Sequence, residues 1–181
     1  MSGPAKRCPH ATLPATPQPW FRWHCAECGT GIRMRALSLT NPYPFLMLDL
    51  PDEHRKDVEN RKRPVTKTMG PVLLHAAKGC TLAQHVEATK VAREAGVPPE
   101  LLPQHDSQPA MGLVGAVVLT GTLPAHSLLD AHYRWKFKGW EGYTVGARVK
   151  LPFRGMPGSQ GIFYVDLTPD EEQILRLAGL L

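Results

Sequence analysis

Residues 143–151 read YTVGARVKL, with apolar side chains at the odd positions and threonine, glycine, arginine and lysine between them. Successive side chains of a β-strand point to opposite faces, so this period of two predicts a strand with one buried face. Two other stretches support a sheet around it: residues 113–119 are a continuous apolar run, and residues 162–167 have the composition of a strand. A β-sheet is therefore expected to form the body of the fold.

Three further stretches nearer the N-terminus are predicted strands: residues 35–40, 58–61 and 72–76. Asn41-Pro42 ends the first of them and Gly70-Pro71 introduces the last. Short strands, glycine-rich turns and a helical excursion between them predict an α+β fold. The expected architecture is a small mixed β-barrel with flanking helices rather than a doubly wound sheet.

Three helices and one loop complete the prediction. Residues 43–50 are expected to form one or two helical turns that end at Pro51. A longer helix is expected over residues 81–95, with Gly96 as its stop and Ala88, Val91, Ala92 and Ala95 on one face. The run TPDE at residues 168–171 matches a capping box with proline at the first helical position. The terminal helix that follows is expected to bury Ile174, Leu175, Ala178 and Leu181. Residues 98–109 show no clear period and are expected to form an exposed loop.

Length and composition narrow the class of protein. The 181 residues fit one medium-sized domain with a short accessory element, and a hydrophobic content of 43% suffices for a core. The net charge of +5 and the pI near 9.2 weakly favour anionic partners. No apolar run approaches the roughly 18 to 20 residues that span a bilayer, and the first residues lack the apolar core of a signal peptide. We therefore expect a cytoplasmic protein without a membrane partner.

Three of the four cysteines lie within the first thirty residues, which is not how a disulfide-stapled secreted domain distributes them. Cys8, His10, Cys25 and Cys28 offer three thiolates and one imidazole. This set is typical of structural zinc with a closed tetrahedral shell. His24 is an alternative fourth ligand.

Residues 1–31 are accordingly predicted to form a zinc-knuckle-like extension, because they cannot bury enough surface to fold without a metal. Residues 34–181 are predicted to form the compact domain. Within the extension, Trp20, Phe21 and Trp23 either stack on nucleic-acid bases or pack around the zinc element.

Several motifs follow one another along the compact domain: ALSL at 36–39, NPY at 41–43, KDVENR at 56–61, GPVLLHAAKG at 70–79 and GSQGIF at 158–163. Together they resemble the ASCH family, whose members show a strand with a Gln-Pro-Trp-like turn, a Lys-x-x-Glu-x-Arg motif and a strand that ends in His-Ala-x-Lys. The similarity covers about residues 34–167. It implies a PUA-like barrel with a cleft between the barrel and the helical excursion, lined by the Lys-x-x-Glu-x-Arg segment. The family has been linked to RNA binding and, in some members, to hydrolysis of acetylated cytidine or of RNA.

The candidate nucleic-acid contacts are Ser38, Tyr43, Lys56, Glu59, Asn60, Arg61 and Lys78. Lysine and arginine suit phosphate, glutamate and asparagine suit the edges of a base, and tyrosine suits stacking. Strand alternation would separate Lys56 from Glu59 and Arg61, so a bend must bring these three together. Three of these residues, and the neighbouring candidate His75, also have a structural alternative. Glu59 and Arg61 would form an ion pair that closes the barrel, Lys56 would be a solvated lysine, and His75 would be a satisfied core histidine.

Two functions remain open on this reasoning. The first is a module that binds RNA, another single-stranded nucleic acid or a modified nucleoside. The second is a small hydrolase that acts on acylated cytidine nucleosides or on RNA, with Lys56 and Glu59 as catalytic acid and base if burial lowers the pKa of the lysine. In the acetylcytidine hydrolases of the superfamily a threonine follows the lysine by three positions; Glu59 stands there in this chain, so that mechanism does not carry over directly. The sequence does not indicate an oligomeric state.

Overall fold

The structure is a computed structural model that describes residues 21–22, 32–62, 69–126 and 132–181. Its strands are β1 (Phe21–Arg22), β2 (Arg33–Leu39), β3 (Val58–Arg61), β4 (Gly70–Ala76), β5 (Gly112–Leu123), β6 (Glu141–Gly155) and β7 (Ile162–Asp166). Its α-helices are α1 (Tyr43–Leu48), α2 (Leu82–Glu94) and α3 (Pro169–Leu177). The expected α+β class is thereby confirmed, and every predicted strand and helix has a counterpart among the described residues.

The strands form one mixed sheet in the order β1-β2-β4-β5-β6-β3, and β7 also pairs with β2. β2 and β4 run parallel, with Ala36 opposite Leu73, while the other pairs are antiparallel. The pairing of β5 with β6 shifts register at three places. Extra residues on one strand of a pair bend it and increase its twist. The sheet accordingly curls into a half-barrel with helices on its flanks.

One of these shifts corrects the prediction for residues 143–151. β5 advances two residues from Val117 to Leu119, whereas β6 advances three between their partners Arg148 and Val145. The extra residue breaks the strict alternation, so Ala147 is exposed although its odd position predicted burial. Arg148, on the polar side as expected, donates from its guanidinium to the Met47 carbonyl at the end of α1, over 3.0 Å.

Both long helices begin as their sequences predict. Thr81 caps α2 by accepting from the backbone N–H of Gln84, and Thr168 caps α3 by accepting from the backbone N–H of Glu171. In each case the side chain of the third helical residue accepts a hydrogen bond from the backbone N–H of the threonine, which completes a capping box.

Two predictions about burial and loops are wrong in part. Ala178 is exposed and Leu180 is buried in its place, because α3 ends at Leu177 and the chain then leaves the helical period. Residues 98–109, expected to form an exposed loop, contain two short 3-10 helices, Pro99–Leu101 and His105–Ser107, and more than half of these residues are partly buried. His105 ties the segment to the start of α2, since its Nε2 lies 2.7 Å from the Cys80 carbonyl.

The apolar core divides into clusters, two of which join the helices to the sheet. One packs α3 against the sheet through Leu175, Leu73 and Leu113. Another gathers α1, α2 and the segment before β6 around Trp135, which is buried. This second cluster packs α1 against the chain at the start of β3, where the motif at 56–61 lies. Among the described residues, no helix is long and apolar enough to cross a membrane.

Candidate functional site

Lys56 occupies an unusual position for a lysine, since only 2% of the residue is exposed. Its backbone N–H donates to the Leu46 carbonyl of α1 at 2.8 Å, which holds it just before β3. The side-chain amine turns back to donate to Glu59, 2.7 Å from a carboxylate oxygen, and to the Val58 carbonyl. Because β3 begins at Val58, strand alternation does not control Lys56, and the expected meeting of Lys56 with Glu59 takes place. The alternative of a solvated lysine at position 56 is wrong.

The ion pair opens onto a cavity of about 150 Å³, which we call the Lys56 cavity. Its walls are Tyr43, Lys56, Glu59, Asn60, Phe137 and Trp140. The Lys56 amine lies 5.3 Å from the centre of the Tyr43 ring, and the Phe137 and Trp140 rings meet edge to face at 5.5 Å. A buried charge pair thus faces three aromatic side chains inside one small hollow. No residue of α2 lines it, in contrast to the cleft that the family resemblance implied.

Burial dominates the electrostatics of this cavity. Desolvation lowers the pKa of Lys56 below its ordinary value, although the nearby Glu59 carboxylate opposes the shift. The pKa of Tyr43 is raised, first by burial and then by the negative charge of Glu59. Burial likewise raises the pKa of Asp57, which follows Lys56 in the chain. Compared with water, the cavity therefore favours the uncharged form of Lys56 and the protonated form of Tyr43.

Asn60 holds the aromatic wall in place. Its side-chain N–H donates to the Trp135 carbonyl at 2.6 Å, and its side-chain oxygen accepts from the backbone N–H of Phe137 at 2.8 Å. The segment at 132–140, which carries Phe137 and Trp140, is thereby fastened to β3. Sequence reasoning proposed Asn60 as a reader of base edges, and the structure places its amide in contact with protein backbone.

A second, larger hollow of about 570 Å³ adjoins the first, and we call it the Arg61 cleft. Its lining includes Ser38, Thr40, Arg61, His75, Lys78 and the turn at 158–161. Arg61 forms an ion pair with Glu59 at 3.3 Å, so the Glu59–Arg61 pair connects the Lys56 cavity with the Arg61 cleft. The ion pair considered as a structural alternative for these two residues is present.

The seven candidate contacts are thus divided between two hollows. Tyr43, Lys56, Glu59 and Asn60 line the Lys56 cavity, whereas Ser38, Arg61 and Lys78 line the Arg61 cleft. Phe137 and Trp140 were not among the candidate contacts, because they lie between strands where no period marks them. It also left open how His75 is satisfied. Nδ1 of His75 lies 3.0 Å from the Ser38 hydroxyl, and Nε2 lies 3.0 Å from the Met156 carbonyl.

The predicted zinc ligands Cys8, His10, Cys25 and Cys28 lie outside the described residues, as do the alternative ligand His24 and the flanking Trp20 and Trp23. Phe21 is described by its backbone in β1. Within the part of the chain that the structure describes, no group of three or more histidine, cysteine or acidic side chains is placed to hold a metal ion.

No model of a known protein family matches the chain, and no curated protein sequence matches it. The resemblance to the ASCH family therefore stays a prediction from the motifs themselves, and the case for a function depends on the geometry of the two hollows.

Proposed function

We propose that the protein binds RNA or another single-stranded nucleic acid, with one base or modified base in the Lys56 cavity and the sugar-phosphate chain along the Arg61 cleft. The observation that carries the proposal is the buried Lys56–Glu59 pair, whose 2.7 Å contact faces a hollow walled by Tyr43, Phe137 and Trp140. Burying such a charge pair is costly, and a site that offers both a donor and an acceptor beside aromatic rings gains binding specificity from it.

The size of the Lys56 cavity favours a single base. About 150 Å³ is well below the roughly 300–1,000 Å³ of pockets that enclose a whole drug-sized ligand. A flat heterocycle fits beside the aromatic rings, and its polar edge would meet the Lys56 amine and the Glu59 carboxylate. The rest of a nucleotide would then have to lie outside this cavity.

The Arg61 cleft provides the adjoining space and the positive charge. Its 570 Å³ falls within the range of ligand pockets, and both Arg61 and the exposed Lys78 line it. A third cation lies beside the aromatic wall of the Lys56 cavity, since the Lys62 amine is 5.0 Å from the centre of the Trp140 ring. Positive charge beside aromatic rings is the combination that proteins use to bind single-stranded nucleic acids, because phosphates flank each stacked base.

Binding of a short labelled RNA, followed by fluorescence anisotropy over a salt series, tests the proposal. Trp140→Ala should weaken binding by about 1–3 kcal/mol, the usual contribution of one base–aromatic stack. Trp140→Phe keeps an aromatic face and should retain most of the affinity. Lys90→Ala removes an exposed lysine of α2 that lines neither hollow, and controls for net charge. Equal affinity of the wild type and Trp140→Ala, or no salt-dependent binding at all, would overturn the proposal.

A second function, hydrolysis of an acylated cytidine nucleoside or of RNA, is favoured by one specific observation. Burial lowers the pKa of the Lys56 amine, and a neutral amine beside a carboxylate is a competent general base. Incubation with acetylated cytidine and with RNA tests this function. Turnover that disappears in the paired variant Lys56→Met/Glu59→Gln would establish it, whereas binding without turnover leaves the binding function alone.

Structural zinc in the N-terminal segment remains part of the proposal. Cys8, His10, Cys25 and Cys28 offer the donor types that zinc selects. We expect one zinc ion per chain by elemental analysis of the purified protein, and a loss of that zinc in Cys25→Ser. Cys80→Ser, the same substitution at the cysteine outside this set, should keep its zinc. Full zinc content in Cys25→Ser would exclude this ligand set.

A further inference from the structure

Ser38 and His75 are brought together by strand register. β2 and β4 run parallel and place these two residues directly opposite each other, so their side chains project on the same side of the sheet. The Ser38 oxygen and His75 Nδ1 are 3.0 Å apart. Neither residue belongs to the Lys56 cavity; both line the Arg61 cleft.

The hydrogen bonds of His75 determine its tautomer. Nε2 lies 3.0 Å from the Met156 carbonyl, and a carbonyl can only accept, so Nε2 must carry a proton. In the neutral ring Nδ1 is then an acceptor, and the Ser38 hydroxyl must donate to it. This is the arrangement in which a histidine acts as general base toward a serine, with the Met156 carbonyl in the place of the orienting third group.

The surroundings enclose the imidazole of His75 and leave Ser38 in the wall of the cleft. His75 is only 1% exposed, and the Phe163 ring packs against it edge to face at 5.7 Å. Gly158 lies so close that a side-chain carbon there would come within 2.3 Å of the imidazole and 2.8 Å of the Ser38 oxygen. Ser38 itself is half-buried and forms part of the cleft wall. A protected base and a nucleophile that reaches the cleft are what covalent catalysis needs.

We propose that Ser38 and His75 form a nucleophile and general base that cleave carboxylic esters of anionic ligands in the Arg61 cleft. The activity goes beyond nucleic-acid binding, and it uses residues other than the Lys56–Glu59 pair. Arg61 and Lys78 on the same cleft favour a ligand that carries negative charge. Only the identity of that ligand depends on the proposed function.

The reaction is balanced with water as the second reactant. The Ser38 oxygen bonds to the acyl carbon while its proton passes to His75 Nδ1, and the tetrahedral intermediate expels the alcohol, which takes that proton. A water molecule, deprotonated by His75, then attacks the acyl-serine. The carbon–Ser38 bond breaks, the acid leaves, and the proton returns from His75 to the Ser38 oxygen.

Covalent labelling tests the proposal on the intact chain. A fluorophosphonate probe reacts with activated serines, and peptide mapping distinguishes Ser38 from Ser159, a serine that lines the same cleft. We expect the label on Ser38 alone, and a labelling rate roughly 100-fold lower in His75→Gln, the lower end of a general base's usual contribution. Ser107→Ala, which removes a hydroxyl outside the cleft, should label like the wild type. Release of p-nitrophenol from p-nitrophenyl acetate should disappear in Ser38→Ala.

Each outcome decides one of the two proposals. An unlabelled Ser38 in the folded wild type, or equal labelling of Ser38 and Ser159, overturns the Ser38–His75 proposal whether or not RNA binds. The same holds if His75→Gln is folded and labels at the wild-type rate. Labelling of Ser38 without RNA binding would overturn the proposed function alone. Because the wild-type experiment needs no variant, a His75→Gln chain that fails to fold leaves the test intact.

Discussion

The Lys56 cavity and the Arg61 cleft share the Glu59–Arg61 ion pair but differ in how they expose charge. In the cavity, Lys56 is 2% exposed and its partner Glu59 is 8% exposed, so these two charges are stabilised by each other more than by water. In the cleft, Lys78 is exposed to solvent, and Arg61 is partly exposed. A charge held in low dielectric is expensive to leave unpaired, whereas an exposed charge is screened by water and salt. Removing a charge from the cavity should therefore lower the stability of the fold, whereas removing a charge from the cleft should weaken the salt-dependent part of binding and change stability little.

The largest effect is expected from Lys56→Met. It removes the partner of a buried carboxylate, and breaking a buried pair typically costs about 3–5 kcal/mol. We expect roughly 3 kcal/mol, because Arg61 still lies 3.3 Å from the other oxygen of Glu59. Urea unfolding measures the loss, and adding Glu59→Gln should recover most of it. Lys90→Met is the control for an exposed lysine, and a loss in Lys56→Met no larger than in this control would contradict the comparison.

A smaller loss is expected from Asn60→Ala, which leaves the Trp135 carbonyl and the Phe137 N–H without their partner. An unsatisfied buried polar group costs about 1–3 kcal/mol. The variant should also loosen Phe137 and Trp140, so that tryptophan fluorescence and RNA affinity both change. Asn60→Asp keeps the acceptor for Phe137 and loses the donor to Trp135, and an intermediate effect is expected from it. Unaltered fluorescence and affinity in Asn60→Ala would show that the aromatic wall is held by other contacts.

Stability should depend on pH through Lys56. Its pKa is lower in the folded protein than its ordinary value of 10.5, so the unfolded chain binds more protons in the interval between the two. The free energy of unfolding therefore rises with pH across that interval, by no more than about 1.4 kcal/mol per pH unit. Tyr43 has the opposite effect only above its ordinary pKa of 10.0, so the measurement belongs below that pH. In Lys56→Met/Glu59→Gln the rise should be absent; an equal rise there would assign it to another group.

The smallest effect is expected from Lys78→Ala in the cleft. Lys78 is exposed, so the free energy of unfolding should change by less than about 0.5 kcal/mol. The slope of log affinity against log salt should fall by about one, as for the loss of one phosphate contact. Lys90→Ala is the matched control and should leave the slope unchanged. A large loss of stability in Lys78→Ala would remove the distinction between cavity and cleft.

Local sequence was sufficient for much of the fold. The strands β3 and β4 and the capping box of α3 lie where the sequence predicts them, because strand composition and a threonine three residues before a glutamate are properties of neighbouring residues. The pairing of Lys56 with Glu59 was also within reach of the sequence, because a bend between the two positions was expected to bring their side chains together. Their burial was not, because it requires α1 on one side and the segment at 132–140 on the other.

The sequence by itself determined the α+β class, the order of the elements and the polar residues available around β3. Only the tertiary structure decided that these residues separate into a buried cavity and an open cleft, and that Phe137 and Trp140 complete the cavity. The same holds for Ser38 and His75, which are 37 residues apart and meet through the register of two parallel strands. The pattern of residues within a helix or strand indicates which of its faces is apolar. Desolvation and hydrogen bonding, which change the pKa of Lys56 and the tautomer of His75, depend on what distant segments pack against that face.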